Sequence, residues 1–358
     1  MKIALITDTH WGVRNDNVAF LDNSKKFLDS VFFPYIDINR IHTVVHLGDL
    51  VDRRKYININ TAKRLREDFL QPLKDRGVRV HLIAGNHDTY YKNTNSVNAL
   101  REIVRGYGDL MNWHIHDQIP REVDFNGTIV LMLPWICDEN RTVCMDKLRM
   151  TNAQIIMGHL ELAGFEMYRG SIVSHGDDRK LFDRFDMVLS GHYHHRSSDG
   201  SIYYLGSHGE FTWSDYDDPR GFHILDTETR ELTFIQNTFT MFEKVWYNDQ
   251  DKLMHEIMDH DFSKYKGKIV KVIVTNKTNP YWFDNFIEAI EKAGVIEMQV
   301  VEDHLNLNLE EDTDIVNEAE STLDIFRKFI DQVPAQNLDK KRLERTIVEL
   351  YNEALTVE

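Results

Sequence analysis

The chain has 358 residues, 42% hydrophobic and 28% charged, the makeup of a soluble globular protein with one large domain and smaller attachments. Its formal charge of −16 excludes a generally basic nucleic-acid-binding surface, so any such role needs local cations, metal ions or a partner. No apolar run approaches the ~18 residues of a membrane helix, MKIALITDTH reads as a first strand rather than a secretion signal, and Cys137 and Cys144 lack zinc-site spacing, which together fit a cytoplasmic protein without membrane association.

Strand-like runs over Lys2–Thr7, Ile41–Leu47 and Val78–Ala84 alternate with helical stretches over Ala19–Phe33, Thr61–Lys74 and Ser96–Val104. That alternation predicts α/β units with right-handed crossovers. Further strands are expected at Thr128–Trp135, Ala153–His159 and Phe185–His192. Ile202–Gly206, Gly221–Asp226 and Glu231–Gln236 then follow, spaced like a meander. The pattern predicts two stacked sheets with helices outside, a core over residues 1–240. A strand at Lys268–Thr275, a helix over Trp282–Ala293 and a strand at Val295–Val301 predict a small α+β domain over 241–303. A polar linker (304–313) leads to a tail over 314–358, a pair of amphipathic helices. Ile315, Ala319, Leu323, Phe326 and Ile330 share one face, and Leu343, Ile347, Leu350 and Ala354 another, with Pro334 between them.

The chemistry follows the strands. The first delivers Asp8-Thr9-His10, the second Gly48-Asp49-Leu50-Val51-Asp52 and the third Gly85-Asn86-His87-Asp88; later come Gly158-His159 and Gly191-His192-Tyr193-His194. Singly, each reads as well as a helix cap or a hydrogen-bonded rim histidine. Five strands delivering oxygen or imidazole ligands at one end read as a site, because layered α/β folds assemble sites at strand ends. The donor set suits two divalent ions about 3.5–4 Å apart, acting on a phosphate ester. Mixed oxygen and nitrogen donors favour manganese, iron or zinc over calcium or magnesium, and the Asp49 carboxylate can bridge two ions. His192 and His194 alternate on an extended backbone and point to one side, with Tyr193 opposite and His195 left at the rim.

In this order, D-x-H, G-D-x-x-D, G-N-H-D, G-H and G-H-x-H resemble the calcineurin-like metallophosphoesterases over roughly residues 1–210. The resemblance implies one metal on Asp8, His10, Asp49 and His194, and a second on Asp49, Asn86, His159 and His192. It makes His87 the catalytic histidine that protonates the leaving oxygen, with Asp52 orienting it and keeping it charged. GDLVDRR looks like a phosphoprotein-phosphatase segment, but Thr7-Asp8-Thr9-His10 and Ala84 before Gly85 depart from that branch. DTHWG and GSHGEFTWSDYDDPRGFHILD are closer to the SbcD-type nucleases, and the PW, SHG and DPRGF elements to the short forms encoded by T4-like bacteriophages.

That resemblance implies manganese-dependent 3′-to-5′ exonuclease and structure-dependent endonuclease activity on DNA. The setting would be double-strand-break processing, recombination and recombination-dependent replication. The implied partner is an SbcC-like coiled-coil ATPase, held by tail residues such as Leu323, Phe326, Ile330, Leu343, Ile347 and Leu350. It also implies a homodimer within a heterotetramer, formed through the helices at Thr61–Lys74 and Ser96–Val104, although these could equally pack on their own sheet. Arg14, Arg53, Arg54, Lys55, Lys92 and Arg196 lie beside the ligand motifs and are candidate DNA contacts; solvated loop charges are the plainer reading. The alternatives are a phosphoprotein phosphatase and a catalytically silent scaffold for the ATPase.

Overall fold

The structure, a computed structural model, describes residues 1–104 and 112–302. Residues 1–302 form one compact unit. Its centre is a pair of six-stranded sheets. The first runs Leu232–Asn237, Arg220–Asp226, Lys2–Ile6, Thr43–His46, Arg79–Ile83, Trp113–His116. From Lys2–Ile6 onward its strands are parallel, whereas Arg220–Asp226 lies antiparallel to its neighbours. The second runs Ser197–Ser198, Ile202–Tyr204, Met187–Gly191, Ile155–His159, Thr128–Leu133, Arg121–Phe125, parallel through its middle.

Period-two alternation explains the layering. Ile3, Leu5, Val45 and Ile83 face Val130, Met132, Ile155, Met157 and Leu189 across the space between the sheets. Their neighbours point outward: Ala4, Ile6, Val44 and Leu82 toward helix residues Phe27, Phe32, Leu65 and Phe69. On the far side Leu131, Ile156 and Val188 pack with Cys144 and Leu148 of the helix Arg141–Met150. The result is helix, sheet, sheet, helix, as the sequence predicts. The first helix is capped by the Asn17 side chain, which accepts from Ala19 N, and runs on from Val18–Phe27 through a widened turn to Ile38. The helical region Ile59–Asp75 buries Leu65, Phe69, Leu70 and Leu73 in the chain's own core.

Three details differ from the sequence expectation. The meander does not form: Ile202–Tyr204 pairs in parallel with Met187–Gly191 in the second sheet, whereas Arg220–Asp226 and Leu232–Asn237 extend the first. A strand cannot be allotted to a sheet by spacing alone. Arg121–Phe125 and Thr128–Leu133 form a hairpin on Asn126-Gly127, both with left-handed φ, a turn signal that the sequence carries. Trp113–His116 and Phe242–Asn248 are also strands, and Arg141–Met150 is a helix, none of them anticipated.

The third sheet, Phe242–Asn248, Ile269–Asn276 and Glu297–Glu302, is all parallel, with the helix Pro280–Lys292 crossing between the last two strands. That helix is capped by Asn279 and buries Phe283, Phe286 and Ile290 against Tyr247, Val270 and Val272. Phe20, Phe211, Met241, Phe242 and Ile269 form a small apolar cluster linking this unit to the larger sheets. The linker, the tail helices and the tail positions Leu323, Phe326, Ile330, Leu343, Ile347 and Leu350 lie outside the described residues. No described helix is long and apolar enough to cross a membrane.

Candidate active site

The parallel strands of both central sheets end on the same set of loops, and the backbone there is strained. Asp8 (φ 50°), His10 (φ 42°), Asp49 (φ 54°) and His192 (φ 90°) all adopt left-handed conformations that residues with a Cβ rarely take. Such strain costs on the order of 1–3 kcal/mol per residue and persists where the surroundings fix it. Glycines allow the close approach. A Cβ on Gly191 would lie 2.1 Å from Thr7 Oγ1, and one on Gly85 would lie 2.2 Å from Asp49 Oδ1.

Three groups of donors result among the described residues, one of them joining His10 to Asp52 and His87; the other two hold only predicted ligands. Asp8, His10 and His194 place ligand atoms within 4.8 Å of one another, as do Asp49, His159 and His192. Asp49 Oδ2 lies between the groups, 3.2 Å from His159 Nε2 and 3.7 Å from His10 Nε2. Asn86 Oδ1 joins the second, 3.1 Å from His159 Nε2 and 3.0 Å from His192 Nδ1. All seven sequence-predicted ligands therefore converge. Tyr193 turns the other way, into the core beside Tyr204, and His195 pairs with Asp218 at 2.8 Å.

The orientation of these donors comes from deeper contacts. His159 Nδ1 donates to Leu47 O at 2.7 Å, which leaves Nε2 facing Asp49. Asp8 accepts from Thr7 Oγ1 at 2.6 Å and from the His192 main-chain N–H at 3.1 Å. His46, buried beneath the loops, meets Thr9 Oγ1 at 2.9 Å. Asp88 accepts from Val51 N at 3.1 Å and from Gly85 N at 2.9 Å, tying the second ligand loop to the third. Burial, followed by the charge on Asp49, pushes the Asp88 carboxyl up to about 7.

The electrostatics fit cations. Burial alone would raise Asp49, but His159, His87 and His10 outweigh it and hold the carboxyl well below the usual range. Burial opposes protonation of His159, yet Asp49 and Asp8 bring it up to about 9. His10 is likewise brought to about 9 against its burial, by Asp52, Asp49 and Asp8. Burial and neighbouring imidazoles instead hold His192 at about 3 and His194 well below its ordinary value. The carboxylates thus draw positive charge into a place where His10 Nε2 and His194 Nε2 face each other at 3.0 Å and His194 Nδ1 has no hydrogen-bond partner. Divalent ions would supply that charge and leave the rings neutral, and the donor mix suits manganese, iron or zinc.

His87 is half-buried at the outer side of the site, its ring 4.9 Å from that of His10. The His87 main-chain N–H donates to Asp49 Oδ1 at 2.8 Å. The expected contact with Asp52 forms through the main chain: His87 Nδ1 lies 2.5 Å from the Asp52 carbonyl oxygen. The Asp52 carboxylate turns instead toward His10 Nδ1, at 3.5 Å. A loop backbone that presents its carbonyl to one histidine leaves the side chain free to face another, and sequence spacing does not reveal that choice.

Of the candidate DNA contacts, Arg14, Lys55 and Lys92 are exposed. Arg53 is engaged by Asp16 at 3.0 Å and lies over the Tyr56 ring, and Arg54 reaches toward Tyr91 O at 3.5 Å. Arg196 stacks on Phe234, 4.2 Å from its ring centre. Trp135, which the sequence shows only as part of a PW element, lies beside the site with its ring 5.2 Å from that of His192.

This fold and donor arrangement are those of a metallophosphoesterase. Residues 1–196 match the model of the calcineurin-like phosphoesterase family, more than half of the 358-residue chain, and the chain belongs to that family. It is 32% identical over 359 aligned positions to exonuclease subunit 1 of Enterobacteria phage T4, covering 99% of both chains. It is also 23% identical over 266 positions to the SbcD component of the SbcCD nuclease of Staphylococcus saprophyticus, covering 65% of this chain and 67% of that one.

Proposed function

We propose that this chain is a two-metal DNA nuclease subunit of the SbcD type. The observation that carries the reading is the pair of donor groups sharing Asp49, with His87 at their outer edge. Two relatives that are by name an exonuclease subunit and a nuclease subunit support a nucleic acid, DNA in this reading, as the substrate and a second subunit as the partner. When bound, two divalent ions, manganese in this reading, would supply an activated water and the positive charge that an in-line displacement at phosphorus needs.

The protein's own groups do the rest. Asp8, His10, His194 and Asp49 would hold one ion, and Asp49, Asn86, His159 and His192 the other. His87 protonates the departing ester oxygen. With Nδ1 donating to the Asp52 carbonyl, Nε2 is the atom that carries the transferable proton. The Asp52 carboxylate steadies His10, and its main chain positions His87.

Residues 1–240 form the nuclease core in this reading and 241–303 a capping domain; 304–313 is the linker, and 314–358 hold the ATPase partner. The exposed loop cations steer DNA locally while the partner supplies most duplex affinity, and the chain pairs as a homodimer. The test is release of nucleotides from end-labelled duplex DNA, with and without manganese and with and without an SbcC-like ATPase. Joint charge reversal of Arg53 and Arg54 that leaves cleavage and its salt dependence unchanged removes them from the DNA path.

A further inference from the structure

A cavity of about 240 Å³ opens beside the Asp49, His159 and His192 group, walled by Trp135, Arg141, His159, Glu161 and Asp177. It lies just below the ~300 Å³ at which pockets for drug-sized molecules begin, so it suits a single flat ring system. The Trp135 backbone is anchored: its main-chain N–H donates to Ala84 O at 2.9 Å, and its carbonyl accepts from Asn95 Nδ2 at 2.8 Å and Asn140 Nδ2 at 3.0 Å. Its ring centre lies 6.0 Å from that of His159, so a group stacked there adjoins the second donor group.

The opposite wall is also built. Asp177 N donates to Glu161 O at 2.8 Å, Arg141 is paired with Asp177, and Glu161 faces His175 at 3.1 Å. Gly176 (φ 108°) makes this possible, since a Cβ there would meet Glu161 O at 2.5 Å. Two carboxylates against one guanidinium disfavour another phosphate. An aromatic platform with hydrogen-bonding walls favours a neutral heterocycle carrying N–H groups.

We propose that this cavity receives the nucleobase next to the scissile phosphate, stacked on Trp135. The inference rests on the nuclease reading and adds a base subsite to it. Stacking is tolerant of base identity, so the subsite positions the strand without selecting a sequence.

The test compares wild type, Trp135→Phe and Trp135→Ala in the full chain with manganese. The substrates are single-stranded oligonucleotides, the same oligonucleotides with an abasic site at the cleaved end, and methyl p-nitrophenyl phosphate. Trp135→Ala should lower kcat/KM on intact DNA about 5- to 100-fold beyond any loss on the small diester, and Trp135→Phe should recover most of it. Abasic DNA should remove the difference between wild type and Trp135→Ala. In a His87→Gln background, a 2-aminopurine at the cleaved end should be quenched on binding when Trp135 is present and not with Trp135→Ala. Equal losses on DNA and the small diester, or equal discrimination against abasic DNA by both proteins, would overturn the subsite. A wild type that turns over the small diester and cleaves no DNA, even with an SbcC-like ATPase added, would instead sink the nuclease reading, and the subsite with it.

Discussion

Two clusters of histidines, one at the strand ends of both central sheets and one within the first sheet, differ in the charge around them. His10, His159, His192 and His194 gather at strand ends around Asp8 and Asp49. His81, His114 and His116 sit within the strands Arg79–Ile83 and Trp113–His116, where His81 Nδ1 meets His116 Nε2 at 3.0 Å and His114 stacks on His81. In the first cluster carboxylates bring two rings to about 9 despite burial. In the second, burial and then the neighbouring imidazoles hold His81 at about 2 and His116 at about 4. Grouped imidazoles therefore do not by themselves make a cation site. The carboxylates between them, on a strained backbone, make the difference.

The largest expected effect comes from removing a shared carboxylate. Asp49→Ala should abolish phosphodiesterase activity and reduce the metal content of the purified protein, read by mass spectrometry. Full retention of both would break the distinction between the clusters. His87→Ala should retain the metals and lose about 10²- to 10⁴-fold in kcat, because the proposed mechanism makes His87 the proton donor and no ligand.

The second cluster should affect stability and not chemistry. His81 and His116 remain neutral in the fold while the unfolded chain takes up protons below pH 6.5. Stability should therefore fall as pH drops from 6.5 toward 4, by up to ~1.4 kcal/mol per pH unit for each histidine. Urea melts at pH 7 and pH 5 should show that slope in wild type and a shallower one in a His81→Phe, His116→Phe double variant, with DNA cleavage kept. A double variant that loses cleavage would place this cluster in the site.

The smallest expected effect concerns a buried carboxylate set apart from these rings. Glu210 accepts from Met241 N and Phe242 N, yet burial pushes it from 4.5 up to about 7. Between those values the fold holds a proton that the unfolded chain has released, so stability should fall as pH rises through that window. Glu210→Gln should flatten that fall. An unchanged slope would mean that Glu210 is ionised in the fold across the window.

The convergence of the candidate donors was legible because they are contiguous with strands. A strand that ends at Ile6, His46, Ile83 or Gly191 must deliver the next residues to the same edge of its sheet. The two-sheet architecture followed from alternation in runs such as Ile3 to Ile6. Illegible were features set by loop backbones and by edges. The split of Asp52 between His87 and His10 depends on φ and ψ. The strand Trp113–His116 hides behind alternating histidines. Arg121–Phe125 looks too charged for a strand because it lies at the sheet's edge, although Asn126-Gly127 announced its hairpin. Trp135 offered no spacing signal, since its importance comes from the neighbouring strand end that carries His159.

The central claim is most directly tested by incubating the purified full chain, with bound metal quantified, with end-labelled duplex DNA and manganese, beside His87→Ala. The SbcC-like ATPase is included in a parallel series. The account predicts nucleotide release by wild type, a loss of about 10²-fold or more in His87→Ala, and equal metal content in the two proteins. Stoichiometric metal with no DNA cleavage, even with the ATPase present, would contradict it.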